Sequence, residues 1–353
     1  MKHSRLLIYG AYGYTGELIT RAAVAAGLAP VVSGRNASRV GALAHELGLV
    51  DRPFDLNADT IAGQLSDIDV VIHCAGPFSS TAPAMVAACL ASHTHYLDIT
   101  GEIAVFEQVF AQMQAAREAG VVLCPGAGFD VVPTDCLAAR LAEEMPDATA
   151  LALGFDSRSG LSPGTAKTSV EGLAGGGKLR RGGRIETVKL AADVRKIDFG
   201  NGEKTAMTIP WGDVSTAYHS TGIPDIAVYM PISPGRVKQV KRLNWIQPVL
   251  GLRPVTRFLK KRAGQIKGPD AETRARQPTY VWGEATDKHG QTVVGRVKVA
   301  NGYSVTVDAS LALAQRLLTD APAEGGAYTP SRLAGWQFVE TLPGSEPITI
   351  QRN

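Results

Sequence analysis

An apolar run, Leu6-Leu7-Ile8-Tyr9, stops at Gly10-Ala11-Tyr12-Gly13-Tyr14-Thr15-Gly16 and gives way to a stretch of helical composition from Glu17. Strand, glycine turn and helix in that order open a dinucleotide-binding βαβ unit. Gly10 lets the chain leave the strand sharply. Gly13 leaves room for a pyrophosphate against the backbone, and Gly16 lets the helix pack close to the sheet. The helix start then offers its N–H groups, with Tyr12, Tyr14 and Thr15 in the same turn, to a phosphate.

The rest of the first 135 residues repeats the alternation. Strands are predicted at Pro30–Ser33, Phe54–Leu56, Asp69–Cys74, His95–Ile99 and Val121–Cys124, with helices between them. Nearly continuous apolar strands imply a parallel sheet buried on both faces. The expected fold is α/β, a Rossmann-type doubly wound parallel sheet. The second strand ends in Ser33-Gly34-Arg35-Asn36, and no acid follows until Glu46. An NAD site wants a carboxylate there for the ribose hydroxyls. A missing carboxylate and an arginine fork suit the 2′-phosphate of NADP, with Ser33 and Asn36 as further donors. Asp55 is placed at the adenine edge. Ala75, Gly76, Pro77 and Phe78 follow the fourth strand and line the crevice for ribose and nicotinamide, and Gly126 faces the same edge. His73, in mid-strand, reads as a core histidine.

From about Thr149 strand-like segments and hairpin turns dominate, which indicates a mixed α+β domain. Gly175–Arg184 reads as a flexible basic loop, and the Trp211–Gly222 region has the polar and aromatic mixture of a substrate pocket. For proton transfer the candidates are Tyr96, Asp98 and Lys167, with Tyr218 or His219 as donors from the second domain.

A net charge of +3 argues against a nucleic-acid partner. Met1-Lys2-His3 runs straight into a strand and no apolar run spans a bilayer, so a cytoplasmic chain is expected, peripheral to a membrane at most. The four cysteines form no C-x-x-C pair, and no metal-ligand cluster is legible. Between Asp225 and Asp270 there is no acid, while Arg236–Lys267 carries ten basic residues interleaved with apolar ones. Pro248 and Pro254 divide it into short helical pieces. Such a segment suits an anionic membrane surface or an acidic acyl carrier protein, or else packs its apolar side as core. The oligomeric state, a homodimer among the options, is not legible.

Taken together, GAYGYTGELI, YLDITGE, CPGAGFDVVPTD, GTAKTSVEGLAGGGKLRRGGR, PWGDVSTAYHSTGIPDI and TPSRLAGWQFVETLPGS resemble the saccharopine dehydrogenase-like oxidoreductases, in particular the branch of trans-acting enoyl reductases. The resemblance implies an NADP-binding domain over residues 1–135, a substrate domain over 136–319, and a C-terminal segment, 320–353, returning to the first. Gly10, Gly13, Gly16 and Arg35 match the family's cofactor positions. It implies an NADPH-dependent reductase of an activated C=C. The alternatives are a saccharopine-type imine reductase, and a non-catalytic NADP-binding scaffold at a membrane or carrier protein.

Overall fold

Strand β1 (Leu6–Tyr9) is buried at all four positions, and so is β4 (Val70–His73) beside it. These two runs of Leu, Ile and Val seed the first of two sheets. A computed structural model describes residues 5–56, 58–157, 175–250, 252–263, 270, 272 and 276–352. The remaining strands of the first sheet are β2 (Val31–Gly34), β3 (Asp51–Pro53), β5 (His95–Asp98), β6 (Val122–Cys124) and a late strand, Gly326–Ala327. Among the described residues the sheet has seven strands, all parallel. Their order is Gly326–Ala327, β6, β5, β4, β1, β2, β3. The order reverses between β1 and β4, and ligands of such sheets bind outside the carboxyl ends at that point.

Helices α1 (Tyr14–Ala25), α2 (Ala37–Leu47), α3 (Ala58–Gln64), α4 (Phe78–Ser92), α5 (Ile103–Phe110) and α6 (Met113–Ala119) make the crossovers. One core cluster joins strand residues Leu7, Val71, Tyr96 and Leu123 to helix residues Ile61, Met85, Phe106 and Val109. β3 lies at 51–53 rather than 54–56, since Val32–Gly34 pairs with Asp51–Pro53 and leaves Phe54 beyond the strand. Helix α4 begins at Phe78 and holds Pro83 in its second turn.

The chain divides into two compact units, residues 1–132 with 303–334, and residues 133–302 with 335–353. The returning segment is thus 303–334, not 320–353. It starts within the helix Gly302–Thr319, and the final strand, Thr349–Arg352, pairs in the second sheet. That sheet is mixed. Ala148–Asp156 runs parallel to Asp225–Pro231 and antiparallel to Thr279–Asp287, which forms a hairpin with Thr292–Val299. The basic stretch at 175–184 is largely hairpin: Gly177–Arg181 pairs with Arg184–Val188 across a Gly182-Gly183 turn. Basic side chains hid the strand pattern there.

Candidate functional site

The phosphate cradle is built from the turn after β1. Gly10 takes φ +81°, and its N–H and that of Ala11 donate to the Ser33 carbonyl at 2.9 and 3.1 Å. The packing leaves no space for side chains. A Cβ on Gly10 would stand 2.9 Å from the Ala75 nitrogen, and one on Gly16 only 2.3 Å from the Gly10 carbonyl oxygen. Gly13 is the N-cap of α1, and no side chain caps that helix. The first-turn N–H groups of a helix have no intrahelical acceptor, and the helix dipole favours an anion beside them. A glycine cradle leading to an uncapped helix start fits a dinucleotide pyrophosphate.

The carboxyl end of β2 is cationic. Arg35 is exposed there. Asn36 is committed to helix α2, its Oδ1 accepting the Arg39 N–H at 3.0 Å. Arg39, which sequence inspection did not single out, lies one turn on. Its guanidinium sits 4.5 Å over the Tyr12 ring and donates to the Tyr12 carbonyl at 3.0 Å. The Tyr12 ring in turn covers Gly34, where a Cβ would come within 2.6 Å of it. Residues 34–45 contain no acid, so this end of the strand carries two arginines and no competing carboxylate. Ser33 is not an available donor: it is buried, and its hydroxyl donates to the Arg52 carbonyl at 2.6 Å. Asp55 is exposed just past β3, with Oδ1 accepting the Leu56 N–H.

Beyond β4, Ala75-Gly76-Pro77 forms a loop with a cis Gly76–Pro77 bond. Thr81 Oγ1 donates to the Ala75 carbonyl at 2.7 Å. The Glu102 carboxylate accepts the N–H groups of Phe78 and Ser79 at 3.0 and 2.9 Å, capping α4 from a distant loop. Gly76 and Pro77 are exposed, while the Phe78 ring is buried edge-on against His73. His73 is a core residue with Nε2 2.9 Å from Thr81 Oγ1, and burial pushes its pKa down to about 3.

Tyr96 and Asp98 have no exposed surface, so neither can touch a substrate. They lie two apart on one face of β5, and the Tyr96 hydroxyl donates to Asp98 Oδ2 at 2.7 Å. Asp98 Oδ1 accepts the N–H groups of Thr100 at 3.0 Å and Gly126 at 2.8 Å. Asp98 therefore ties together the two loops at this edge, and burial raises its pKa to about 6 against those donors. Gly126 is itself buried, its space closed by Val131 and Phe106, which removes it from the cofactor surface. Asp130 is the residue that inspection of the sequence passed over. It is partly exposed at the end of the β6 loop, with Oδ2 so close to the Gly101 backbone that a Cβ there would stand 2.7 Å away. Burial raises its pKa to about 7.

In the second unit, Tyr218 and His219 are half-buried on the helix Asp213–Thr221. The buried Arg180 guanidinium lies 4.3 Å over the Tyr218 ring and donates to the carbonyls of Val214 at 2.8 Å and Gly183 at 2.7 Å. Thr134 Oγ1 donates to Asp213 Oδ1 at 2.6 Å, and Ser220 Oγ donates to Asp135, fixing the same helix. Lys167 lies outside the described residues. No cluster of metal-binding side chains occurs among the described residues.

A parallel sheet reversing at β1, a glycine cradle at a helix start and a cationic end to β2 are together the features of a dinucleotide-binding domain. Residues 6–124 match the family model described as the saccharopine dehydrogenase NADP binding domain. The match lies within the first unit and takes in about a third of the chain. A Mycobacterium tuberculosis protein named provisionally as a trans-acting enoyl reductase is 28% identical over 186 residues, 48% of this chain and 44% of the relative. A mouse saccharopine dehydrogenase-like oxidoreductase is 26% identical over 206 residues, 50% of this chain and 47% of the relative. The matches thus span under half the length of these curated relatives. Saccharopine dehydrogenase (L-Glu forming) from Saccharomyces cerevisiae superposes with a TM-score of 0.68 at 11% identity, covering 99% of this chain and 100% of that one, a likeness of fold.

Proposed function

We propose that this oxidoreductase uses NADPH to reduce the activated C=C of an enoyl thioester, with Asp130 as the proton source. The observation that carries the proposal is the placement of Asp130, a partly exposed residue whose carboxyl lies close to the Gly101 backbone at the carboxyl edge of β5 and β6, where sheets of this kind bind their ligands. NADPH, when bound, supplies the hydride. The chain's own contribution is positional and acid–base. Gly10, Gly13 and Gly16 open the helix start to the pyrophosphate, and Arg35 and Arg39 hold the 2′-phosphate. Glu102 and Asp98 fix the loops after β4, β5 and β6, where the nicotinamide of such folds lies. A carboxyl that titrates near pH 7 keeps its proton in a useful fraction of molecules and can deliver it to the carbon next to the thioester carbonyl.

The names of the mycobacterial relatives support the enoyl substrate class. An imine reductase of the saccharopine type would need a free guanidinium to clamp substrate carboxylates. In the second unit Arg180 does not serve, since two backbone carbonyls and the Tyr218 ring already hold it. The test is NADPH oxidation followed at 340 nm with a medium-chain 2-enoyl thioester, and separately with a 2-oxo acid plus an amine. Consumption with the enoyl thioester alone supports the proposal. Consumption only with the imine-forming pair would replace it.

A further inference from the structure

The basic segment after Asp225 folds as two helices, Pro234–Leu250 and Arg253–Ala263. Pro248 falls in the last turn of the first, so the segment is less divided than its prolines suggest. Four large apolar side chains stand out as exposed among the described residues, and three of them, Trp245 at 88%, Leu252 at 52% and Phe258 at 58%, lie here. Around them Arg236, Lys238, Lys241 and Arg242 on the first helix and Arg257 and Lys261 on the second are also exposed. No acid occurs from residue 226 to residue 269 to balance them.

The first helix is fastened to its own unit one residue before the tryptophan. Asn244 Oδ1 accepts the Leu190 N–H at 2.7 Å, and its Nδ2 donates to the Leu190 carbonyl at 3.1 Å. That bond pair fixes the helix and leaves Trp245 in water. A cavity of about 480 Å³ opens beside it, lined by Lys189, Leu190, Lys241 and Asn244 as well as Trp245. Two lysines in the lining of an open hollow suit a phosphate.

We infer that the helix pair 234–263 docks on the surface of an anionic phospholipid bilayer. Trp245, Leu252 and Phe258 enter the headgroup boundary, and the surrounding lysines and arginines meet lipid phosphates. Trp and Phe on a strongly basic helix are the composition of an interfacial helix, and an indole favours the boundary where one side is apolar and the other wet. The charge is complementary to an anionic leaflet, and each basic side chain near it adds to the attraction. No helix among the described residues is long and apolar enough to cross a membrane, and the attachment inferred is peripheral. An enzyme held in this way would meet an acyl substrate where long chains partition.

The inference does not rest on the enoyl reductase assignment, and its test is separate. The full chain is sedimented with vesicles of pure phosphatidylcholine and with vesicles containing a quarter phosphatidylglycerol, at 50 and 500 mM salt. Expected is binding to the anionic vesicles at low salt, a blue shift of tryptophan emission that Trp245→Phe abolishes, and at least a tenfold loss of affinity in Arg257→Glu/Lys261→Glu. NADPH binding and thermal stability should be unchanged in these variants. The inference is overturned if the wild type ignores anionic vesicles, if the variants bind as well as the wild type, or if vesicle charge and salt make no difference. It is likewise overturned if the same variants abolish self-association or acyl carrier protein binding while vesicle binding is absent.

Discussion

Arg35 and Arg39 make the sharpest claim about single side chains. A charge-assisted hydrogen bond contributes roughly 1.5–3 kcal/mol, or about tenfold to a hundredfold in affinity. Arg35→Ala and Arg39→Ala should each weaken NADPH binding by about that factor and leave NADH nearly unchanged, as read by nicotinamide fluorescence titration. Equal losses for both cofactors would remove the 2′-phosphate role. Asp130 has two readouts. Asp130→Asn should lower kcat by about a hundredfold or more if it is the acid. It should also remove from the pH–rate profile the fall in activity above about pH 7. The stability sign follows from the same shift. The native state holds this proton more tightly than the unfolded chain, so the contribution is present below about pH 4. It declines as pH rises toward about 7, where the native carboxyl also ionises. Melting temperature against pH should therefore decline less over that window in the Asn variant. The position of Arg35 just past β2 was legible because it ends a strand in a recognisable order. Asp130 was not, since nothing local distinguishes it. Its raised pKa comes from burial, and its carboxyl lies against Gly101, twenty-nine residues earlier, where a Cβ would stand 2.7 Å from Oδ2.

Among the elements, the turn between β1 and α1 separates binding from folding. Gly13→Val faces only the Gly10 carbonyl, 3.2 Å from a Cβ, and should leave a folded chain that no longer binds the dinucleotide. Gly16→Ala faces the same oxygen at 2.3 Å and should destabilise the domain outright. Circular dichroism melts with cofactor titration on the same samples check both. Matching behaviour in the two variants would contradict this division. Asp98→Ala should cost ~3 kcal/mol or more, because it strands two backbone N–H groups and a buried tyrosine hydroxyl, each unpaired donor costing about 1–3 kcal/mol. Chemical denaturation measures it. The sequence placed Asp98 at the right edge of the sheet but with the wrong task. The period of two on β5 sets Tyr96 and Asp98 on one face, and both are fully buried in a sheet covered on both sides. The same period was masked in Gly177–Val188, where basic and acidic side chains occupy the exposed positions of a hairpin.

Over the whole molecule, the alternation of strands and helices made the parallel sheet of the first unit readable. Apolar strands buried on both faces leave little choice but a parallel sheet. The second unit was readable only as mixed, because its strands pair across long distances in sequence. Ala148–Asp156, for example, pairs with both Asp225–Pro231 and Thr279–Asp287. The final strand, Thr349–Arg352, joins the second sheet after the first has been completed by Gly326–Ala327. The two sheets divide the proposed task. The first supplies the dinucleotide cradle and the carboxyl at its edge, and the second carries the Arg180, Tyr218 and His219 cluster on its own scaffold. The most direct measurement is the fate of label in the product. The enzyme is turned over on a 2-enoyl thioester with NADPH deuterated at the transferred position, and again with unlabelled NADPH in heavy water, and the products are read by mass spectrometry. The account expects a saturated thioester carrying one deuterium from the cofactor at the carbon β to the carbonyl, and in heavy water one deuterium at the α carbon. An unreduced thioester, or a reduced one without cofactor label, would contradict it.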